Sequence, residues 1–506
     1  MRVDKNRLHR PLLIVVLLLC WLLLNLHLED RSLWTDELFT AEWTKLSVAE
    51  LVQRTADDFH PPLYFLLVKV WSAGAGKSDF ALRWPSVAAG WLSVAVLYRL
   101  GRKWGTRGTA LLGAGLWGLS PALILYARMA RYYSLAALLG VVATYALWRA
   151  LTDSGGAGHA RRFRWFAYAV ASWSAIFTFY LSGMLILAHG CLVLLLNGRR
   201  QLLRWLTAIL AVAALSLPWA GVVTRQTVRT GSGAADLAFG AAGFGLKVAY
   251  SAYAFAVGES LFPWRPLAVV GAICVLLLCG AGIAGWRRRR LALPLTGLLV
   301  IPLVAVMLVI GLVSPRTPFT SVPARALFAA PFFALIVAGA PGGLRQRFLV
   351  PLLAVVGITW GVTLWNYYHD ADFLNPIYLT PARQMVGFVE PQLQAGDMVY
   401  SEWDSGFDYY YAQTATRAPH FTDTREAIAY LESGQASRVW RVTLGRDQSE
   451  SIVAGSLSLD QWLEGRFAPT AAWGFTPQDE TYRLIKSLLL GRPAYPYRAS
   501  VSLYVR

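Results

Sequence analysis

Long uninterrupted apolar runs are the feature that most constrains this chain. Runs of roughly 18 or more residues recur over positions 1–365, and each is long enough to cross a hydrocarbon core of about 30 Å as a helix. The runs do not alternate with polar residues, which favours helices over a β-barrel. Charged residues make up only 15% of the chain, whereas soluble proteins carry roughly 25%. A soluble enzyme is therefore excluded, and the sequence predicts a multi-pass α-helical membrane protein with about eleven spans.

Basic residues indicate on which side of the membrane each loop lies. After an uncleaved N-terminal anchor at about 11–28, Lys and Arg cluster in alternate loops, at 102–107, 152–164, 198–204, 287–290 and 345–347. Cytoplasmic loops carry such an excess, so we expect the N-terminus inside a cell membrane and the remaining loops outside. These clusters account for the net charge of +18, so no nucleic-acid partner is predicted. The four cysteines lie in apolar runs without metal-ligand spacing, which predicts neither disulfides nor a zinc site.

Residues 366–506 differ in character from the rest of the chain. GDMVYSEW, SRVWRVTLG and RASVSLYVR are typical of strands, and they alternate with short helical patterns such as REAIAYLES. An odd number of spans places this segment outside. We therefore expect two domains, a membrane module at 1–365 with an outer loop at 29–84, and a small extracytoplasmic α/β domain at 366–506.

A paired acid follows the first apolar run. Residues 33–43 read LWTDELFTAEW, in which Asp36 and Glu37 stand among leucine and aromatic residues. Such a pair is most often a solvated part of a loop. The apolar neighbours, however, predict partial burial at the membrane interface, where a carboxylate is costly without a partner or a task. Asp36 is therefore the first candidate catalytic residue, and Glu37 is a candidate beside it, more as its support than as a second catalyst.

The next stretch of the outer loop, residues 46–67, reads LSVAELVQRTADDFHPPLYFLL. Ser47 and Glu50 form a capping-box pattern that predicts a helix start. HPPLYFLLVKVW is too short to span the membrane and predicts an amphipathic helix along its surface. His60 lies beside an acidic pair, so it is a candidate hydrogen-bond partner or metal ligand, although a structural histidine is the alternative. Asp36 and His60 are left open as ligands of a divalent metal ion.

Arginines on the outer side are an anomaly. YARMARYYSL places Arg128 and Arg131 three residues apart, on one face of a helix end, where the positive-inside rule disfavours them. Their planar guanidinium groups suit bidentate contact with phosphate, whereas snorkelling to lipid headgroups is the alternative. Tyr132 lies beside them, as a candidate substrate contact or an ordinary interfacial aromatic residue.

Three further charged residues on the predicted outer side are candidates for the same site. Arg325 begins a late apolar run and raises the same question of phosphate or headgroup, and Lys247 and Glu259, in the loop at 224–265, are weaker candidates. Acids near one span and cations near others suggest a site that meets a hydroxyl and a phosphate together.

The combination of these motifs resembles the integral-membrane GT-C glycosyltransferases. The acidic pair, HPPLYFLL, FALRWPSVAAGWLSVAVLYRLGRKWG and LSPALILYARMARYYSLAAL carry the resemblance over about 30–140, and RALFAAPFFALIVAG extends it loosely. Within this class the chain looks like the dolichyl-phosphate-mannose protein mannosyltransferase and aminoarabinose transferase group. One departure is Met129, which stands where many relatives have an acid, and this puts metal dependence in doubt.

The resemblance implies a fold, a reaction and a set of roles. The fold would be a GT-C helical module with a small C-terminal α/β domain. The donor would be a polyprenyl-phosphate sugar, and the acceptor a hydroxyl of a protein, lipid or glycan at the outer face, with inversion by single displacement. Asp36 would be the general base or would position the acceptor and any metal, and Arg128, Arg131 and Arg325 would bind phosphate.

Two other function classes remain open from the residues. A transporter or lipid flippase would predict charges within spans and repeat symmetry, but the charges lie mostly at span ends. A non-catalytic envelope assembly protein that presents the outer domain would leave the acidic pair and the outer arginines without a task.

Overall fold

The chain divides into two compact units. The computed structural model describes residues 5–152, 158–231, 241–313, 321–401, 406–415, 417–446, 459–475, 481, 484–485, 487–488 and 497–506. The membrane unit comprises 1–28 and 40–374, and the tail unit comprises 29–39 and 375–506. Residues 29–39, which contain Asp36 and Glu37, are called the acid segment below. The sequence alone groups the acid segment with residues 1–365, whereas its contacts group it with the tail.

Helices form almost all of the described membrane unit. In chain order the α-helices of the described residues up to 374 are α1 Lys5–Asn25, α2 Thr35–Trp43, α3 Val48–Asp57, α4 Leu63–Ala75, α5 Asp79–Trp104, α6 Arg107–Gly118, α7 Pro121–Ala127, α8 Tyr133–Thr152, α9 Gly158–Thr178, α10 Gly183–Ser216, α11 Ala220–Gly231, α12 Ala241–Ala256, α13 Pro266–Arg287, α14 Ala292–Val313, α15 Val322–Ala326, α16 Ala330–Ala338, α17 Ala340–Gly343 and α18 Gln346–Tyr368. Short 3-10 turns at Tyr180–Ser182, Leu217–Trp219 and Leu327–Ala329 join neighbouring helices.

Among the described residues, seven helical stretches are long and apolar enough to cross a membrane. The count is eight if α6 and α7, which meet at an angle of 52°, form one broken span. The multi-pass helical architecture is thus confirmed, but the count of about eleven spans is not. One difference is at NGRRQLLR, predicted as a cytoplasmic loop, because α10 passes through it without a break. This stretch has no proline, and Arg, Gln and Leu are good helix formers.

Capping residues fix the helices around the outer loop. Ser47 and Glu50 form the predicted capping box of α3, each side chain bonding the backbone N–H of the other residue. Pro62 precedes α4, where a proline is tolerated because helix-start amides need no intrahelical partner. Ser120 caps α7, since its hydroxyl accepts from the N–H of Leu123. These caps determine where the loops between α3 and α4 and around α7 begin and end.

The tail unit contains a five-stranded mixed sheet with short helices. Its strands are β1 Asp397–Ser401, β2 His420–Phe421, β3 Arg438–Arg446, β4 Ala468–Gly474 and β5 Tyr497–Val505, and its helices after α18 are α19 Ala382–Val389, α20 Phe407–Tyr411, α21 Thr424–Glu432 and α22 Leu459–Leu463. The spatial order is β2-β1-β3-β5-β4. Strand β1 pairs in parallel with β2 and β3, whereas β5 is antiparallel to β3 and β4. The predicted small α/β domain is therefore present.

Candidate active site

The loop between α7 and α8 carries Arg128 and Arg131, and we call residues 126–133 the arginine loop. Helix α7 ends at Ala127 and α8 begins at Tyr133. Two hydroxyl groups hold the loop backbone: Thr40 donates to the carbonyl oxygen of Ala130 at 2.9 Å, and Ser86 donates to that of Arg131 at 2.9 Å. The backbone that presents Arg131 is therefore fixed from two other helices, α2 and α5.

Asp58, His60 and Arg131 form a hydrogen-bonded row, the His60 cluster. The Nδ1 atom of His60 lies 2.7 Å from Asp58 Oδ2, and its Nε2 atom lies 3.0 Å from Arg131 Nη2. A guanidinium group only donates, so Nε2 accepts and Nδ1 carries the proton towards Asp58. The geometry therefore assigns a neutral imidazole with one defined tautomer. The sequence brought Asp58 and His60 together, but their link to Arg131 is a result of folding.

Aromatic rings surround the His60 cluster. The guanidinium of Arg131 lies over the rings of Phe65 and Tyr132, at 5.8 and 5.0 Å from their centres. Tyr132 stacks on Phe179 at 4.7 Å and contacts the His60 ring at 5.2 Å. Phe65 and Phe179 are contacts that sequence reasoning missed, because single phenylalanines in apolar runs carry no distinguishing signal. Such a lining lowers the local dielectric constant and strengthens charge interactions inside it.

The carboxyl group of Asp58 is held in its charged form. Burial by itself raises its pKa, but the hydrogen bond from His60, the backbone N–H of Phe59 and the charge of Arg131 together hold the pKa below its usual range. Arg131 is only 2% exposed, whereas the side chains of His60 and Asp58 are 20% and 34% exposed. The cluster thus presents His60 and Asp58 outwards and keeps the permanent positive charge behind them.

The His60 cluster does not fit a metal site. Both ring nitrogens of His60 are engaged, one by Asp58 and one by a cation. Among the residues that the structure describes, no group of three or more His, Cys, Asp or Glu could hold a metal ion. The metal-ligand role predicted for His60 would require Arg131 or Asp58 to give up its contact, so no chemical step is assigned to a metal here.

Arg128, a predicted phosphate contact, donates to backbone carbonyls and to a tyrosine hydroxyl in this structure. Its Nη1 donates to the carbonyl oxygens of Leu23, Leu24 and Leu26, and its Nη2 to that of His27 at 2.9 Å, while its Nε donates to the Tyr367 hydroxyl at 3.0 Å. Leu23 and Leu24 belong to the end of α1, where a helix leaves acceptors without intrahelical partners, and Leu26 and His27 directly follow it. Arg128 is therefore a side-chain cap that connects the end of α1 to α18.

Lys247 and Arg325 form a second pair of cations in the membrane unit. Lys247 on α12 is 5% exposed, and burial first and the nearby charge of Arg325 second lower its pKa to about 8. Arg325 on α15 is half-buried and donates to the carbonyl oxygen of Ser321 at 2.7 Å. The structure thus brings together two of the predicted substrate-binding residues, which are 78 positions apart.

Glu259 is bound to the arginine loop. Its two carboxyl oxygens accept from the hydroxyl groups of Tyr126 and Tyr250, the latter at 2.8 Å. Burial raises the pKa of Glu259 to about 7, against the smaller opposite effect of the two tyrosine bonds. The Tyr126 ring packs edge-on against Tyr133, and Tyr133 against Tyr132, so a row of rings joins Glu259 to the His60 cluster.

The acid segment presents Asp36 and Glu37 in the first turn of α2. Glu37 is 1% exposed, and its Oε2 accepts from the backbone N–H of Trp34 at 3.3 Å, closing the start of the helix. Asp36 is half-buried. The structure therefore gives Glu37 a local supporting role and leaves Asp36 as the more accessible carboxylate of the pair.

The comparisons with known proteins agree with the fold. Residues 59–221 match the family model of dolichyl-phosphate-mannose-protein mannosyltransferase. The crystal structure of ArnT from Cupriavidus metallidurans in the apo state covers 97% of this chain and 97% of its own, with 13% identity and a TM-score of 0.53. The structure of ArnT from the same organism bound to undecaprenyl phosphate covers 99% and 98%, with 14% identity and a TM-score of 0.52. No curated protein matches the chain. The resemblance is therefore confirmed: this multi-pass membrane protein has the GT-C fold of the integral-membrane glycosyltransferases, and its residues 59–221 match the dolichyl-phosphate-mannose-protein mannosyltransferase family.

Proposed function

We propose that this protein transfers a sugar from a polyprenyl-monophosphate donor to a hydroxyl group at the outer face of the cytoplasmic membrane. The observation that carries the proposal is the His60 cluster, a neutral imidazole backed by a buried guanidinium among aromatic rings. The fold supports it, because a protein of similar structure, ArnT from Cupriavidus metallidurans, binds undecaprenyl phosphate. In this proposal the N-terminus is cytoplasmic and the tail unit is extracytoplasmic.

The phosphate of the donor is assigned to Arg131 and His60. As the bond between the anomeric carbon and the phosphate oxygen breaks, negative charge grows on the departing phosphate monoester. A guanidinium in a poorly solvated setting stabilises that charge more than it would in water. The Tyr132 ring packs against both groups and limits access of water. Lys247 and Arg325 are proposed as a second contact for the anionic donor.

Asp36 is assigned to the acceptor. The acceptor oxygen attacks the anomeric carbon, the new C–O bond forms as the C–O bond to phosphate breaks, and the hydroxyl proton passes to the Asp36 carboxylate. A single displacement of this kind inverts the anomeric configuration. Glu37 supports Asp36 by fixing the first turn of α2. The acceptor class, protein, lipid or glycan, is the open part of this proposal.

Transfer by the purified protein tests the proposal directly. The substrates are a panel of undecaprenyl-phosphate and dolichyl-phosphate sugars with peptide, lipid A and glycan acceptors. We expect Asp36→Asn to lower kcat by about 10²- to 10⁴-fold, the usual contribution of a general base, with little change in donor affinity. Asp30→Asn, in the same segment but exposed, is the matched control and should transfer as wild type does.

Three outcomes separate the alternatives. Equal rates for Asp36→Asn and wild type would remove the base assignment. Movement of the lipid across vesicle membranes by wild-type protein, without transfer on any substrate pair, would favour a flippase. The divalent metal predicted from the sequence stays a prediction, and transfer rates after dialysis against EDTA, with and without added Mg²⁺ or Mn²⁺, test it.

A further inference from the structure

We propose that Tyr410 and Arg383 of the tail unit are positioning residues that hold the acid segment and thereby Asp36. The inference rests on the proposed function, because it takes Asp36 as the group that receives the acceptor proton. All contacts that carry it lie within the tail unit, which contains both the acid segment and residues 375–506. The tail unit is then part of the catalytic framework.

The strongest contact is a buried hydrogen bond from the acid segment to α20. The backbone N–H of Leu33 donates to the Tyr410 hydroxyl at 2.7 Å. Leu33 is fully buried and Tyr410 is 6% exposed, so water has little access to either partner. A buried amide that loses its only strong acceptor is left without compensation for its lost hydration. The segment is therefore strongly held at Leu33, three residues before Asp36.

Arg383 at the start of α19 adds two bonds and a ring contact. Its backbone N–H donates to the Ser32 hydroxyl at 2.9 Å, and its Nη1 donates to the carbonyl oxygen of Glu29 at 2.8 Å. Its guanidinium lies 5.2 Å from the centre of the Tyr410 ring. Arg383 and Tyr410 thus support each other while holding three positions of the acid segment, 29, 32 and 33.

The chain between Leu33 and Asp36 is short and rigid enough to transmit this restraint. The Trp34 ring packs edge-on against Tyr378 at 5.1 Å. The Trp34 backbone carbonyl accepts from Glu37 N–H at 2.8 Å and from Leu38 N–H at 3.1 Å, and its own N–H donates to the Glu37 carboxylate. Asp36 lies inside this closed turn, so its backbone has little freedom once Leu33 and Trp34 are fixed. A displacement of about 1 Å at a catalytic group can reduce a rate by about 10²-fold.

Hydrogen exchange tests the contact itself, independently of activity. In the full-length protein in detergent, the amide of Leu33 should exchange slowly in wild type and about tenfold or more faster in Tyr410→Phe, which keeps the ring but removes the acceptor. Tyr411→Phe is the matched control, because the Tyr411 hydroxyl bonds Ala418 and makes no described bond to the acid segment. Equal exchange of Leu33 in wild type and Tyr410→Phe would overturn the proposal.

Transfer kinetics test the positioning role. We expect Tyr410→Phe to lower kcat about tenfold, and Arg383→Ala somewhat less because its side-chain bond to Glu29 is exposed, while affinity for undecaprenyl phosphate stays unchanged. Arg383→Lys should recover part of the loss. Arg417→Ala is the control and should keep wild-type rates, because this arginine of the same unit donates to the local carbonyls of Ala412 and Thr414.

A double variant separates positioning from general damage to the fold. If Tyr410 acts through Asp36, adding Tyr410→Phe to Asp36→Asn should lower the residual rate no further. A full additional tenfold loss in the double variant would show that Tyr410 acts elsewhere and would overturn the proposal. If Asp36→Asn itself is fully active, the role of Asp36 as general base in the proposed function is lost. The hydrogen exchange of the Leu33 amide still decides whether its contact with Tyr410 exists.

Discussion

The acid segment and the arginine loop look alike in sequence but are held in different ways. Both are short stretches that follow an apolar run and carry charge among aromatic residues. The acid segment is bonded to α19 and α20 of the tail unit, whereas the arginine loop is bonded to helices of the membrane unit. The acid segment and the arginine loop are thus held by different contacts. Variants in these two sets of contacts should therefore have separable effects.

In the membrane unit, we expect the largest loss of stability from substitution of Arg128. Arg128→Ala would remove five hydrogen bonds from the end of α1 and from Tyr367, which we expect to lower the free energy of unfolding by about 3 kcal/mol. Thermal unfolding in detergent measures it. A variant with wild-type stability and lost affinity for undecaprenyl phosphate would restore the phosphate role predicted from the sequence.

Glu259 has the second-largest expected effect, which is on the pH dependence of stability. The sign of this effect follows from the difference between its folded and unfolded pKa values. Its folded pKa of about 7 lies above the reference value of 4.5, so between these values the folded state holds a proton that the unfolded state has lost. Stability therefore falls as pH rises through this window, by up to about 3 kcal/mol. We expect the fall in Tm from pH 5 to pH 8 to be smaller in Glu259→Gln than in wild type. Tyr253→Phe, which loses a bond to Leu261 in the same loop, is the control and should keep the wild-type dependence.

Arg131 should behave differently from Arg128, three residues away. Arg131→Ala should weaken binding of undecaprenyl phosphate about 10- to 100-fold, the value of a charge-assisted hydrogen bond. Isothermal titration in detergent measures this, with Arg128→Ala as the comparison at matched stability. If Arg131→Ala binds as tightly as wild type, the His60 cluster is not the phosphate site.

Substitution of Gly406 has the smallest expected effect, and this effect concerns the stability of the tail unit. Its φ is +80°, and a Cβ there would lie 3.0 Å from Leu38 Cδ1 of the acid segment. Gly406→Ala should destabilise the tail unit by about 1–2 kcal/mol and reduce kcat slightly, with donor affinity unchanged. Gly434→Ala has a similar φ of +75° with no atom near the added Cβ, so it separates backbone strain from the contact with Leu38.

Apolar runs predicted the membrane helices well, because a helix in lipid needs a long continuous stretch of apolar residues, and such a stretch is visible in the sequence. The runs at 85–101, 134–150 and 266–286 correspond to helices at Asp79–Trp104, Tyr133–Thr152 and Pro266–Arg287. Strand β4 was not predicted, since its sequence APTAAWG has weak strand propensity. It becomes a strand because β5 offers it an unpaired edge.

Arg128 and Arg131 show which part of the candidate site could not be predicted from the sequence. Both are arginines that the sequence predicts on the outer side, with the same local sequence pattern, and the pattern alone favours phosphate contact for each. The carbonyls that bind Arg128 come from α1, about a hundred residues earlier, and the imidazole that meets Arg131 comes from the loop after α3. Rules based on neighbouring residues therefore could not identify either hydrogen-bond partner.

The sequence by itself therefore determined the class of protein, the apolar spans, the capping box and the list of charged residues worth testing, since these depend on composition and on local periodicity. The tertiary structure alone decided which arginine is a helix cap and which joins His60, that Glu259 meets two tyrosines, and that the acid segment is held by Tyr410 and Arg383. Apart from the bond between Glu259 and Tyr250, which are 9 positions apart, these hydrogen bonds join groups 71 to 377 positions apart, and their geometry exists only once the helices and the sheet have packed.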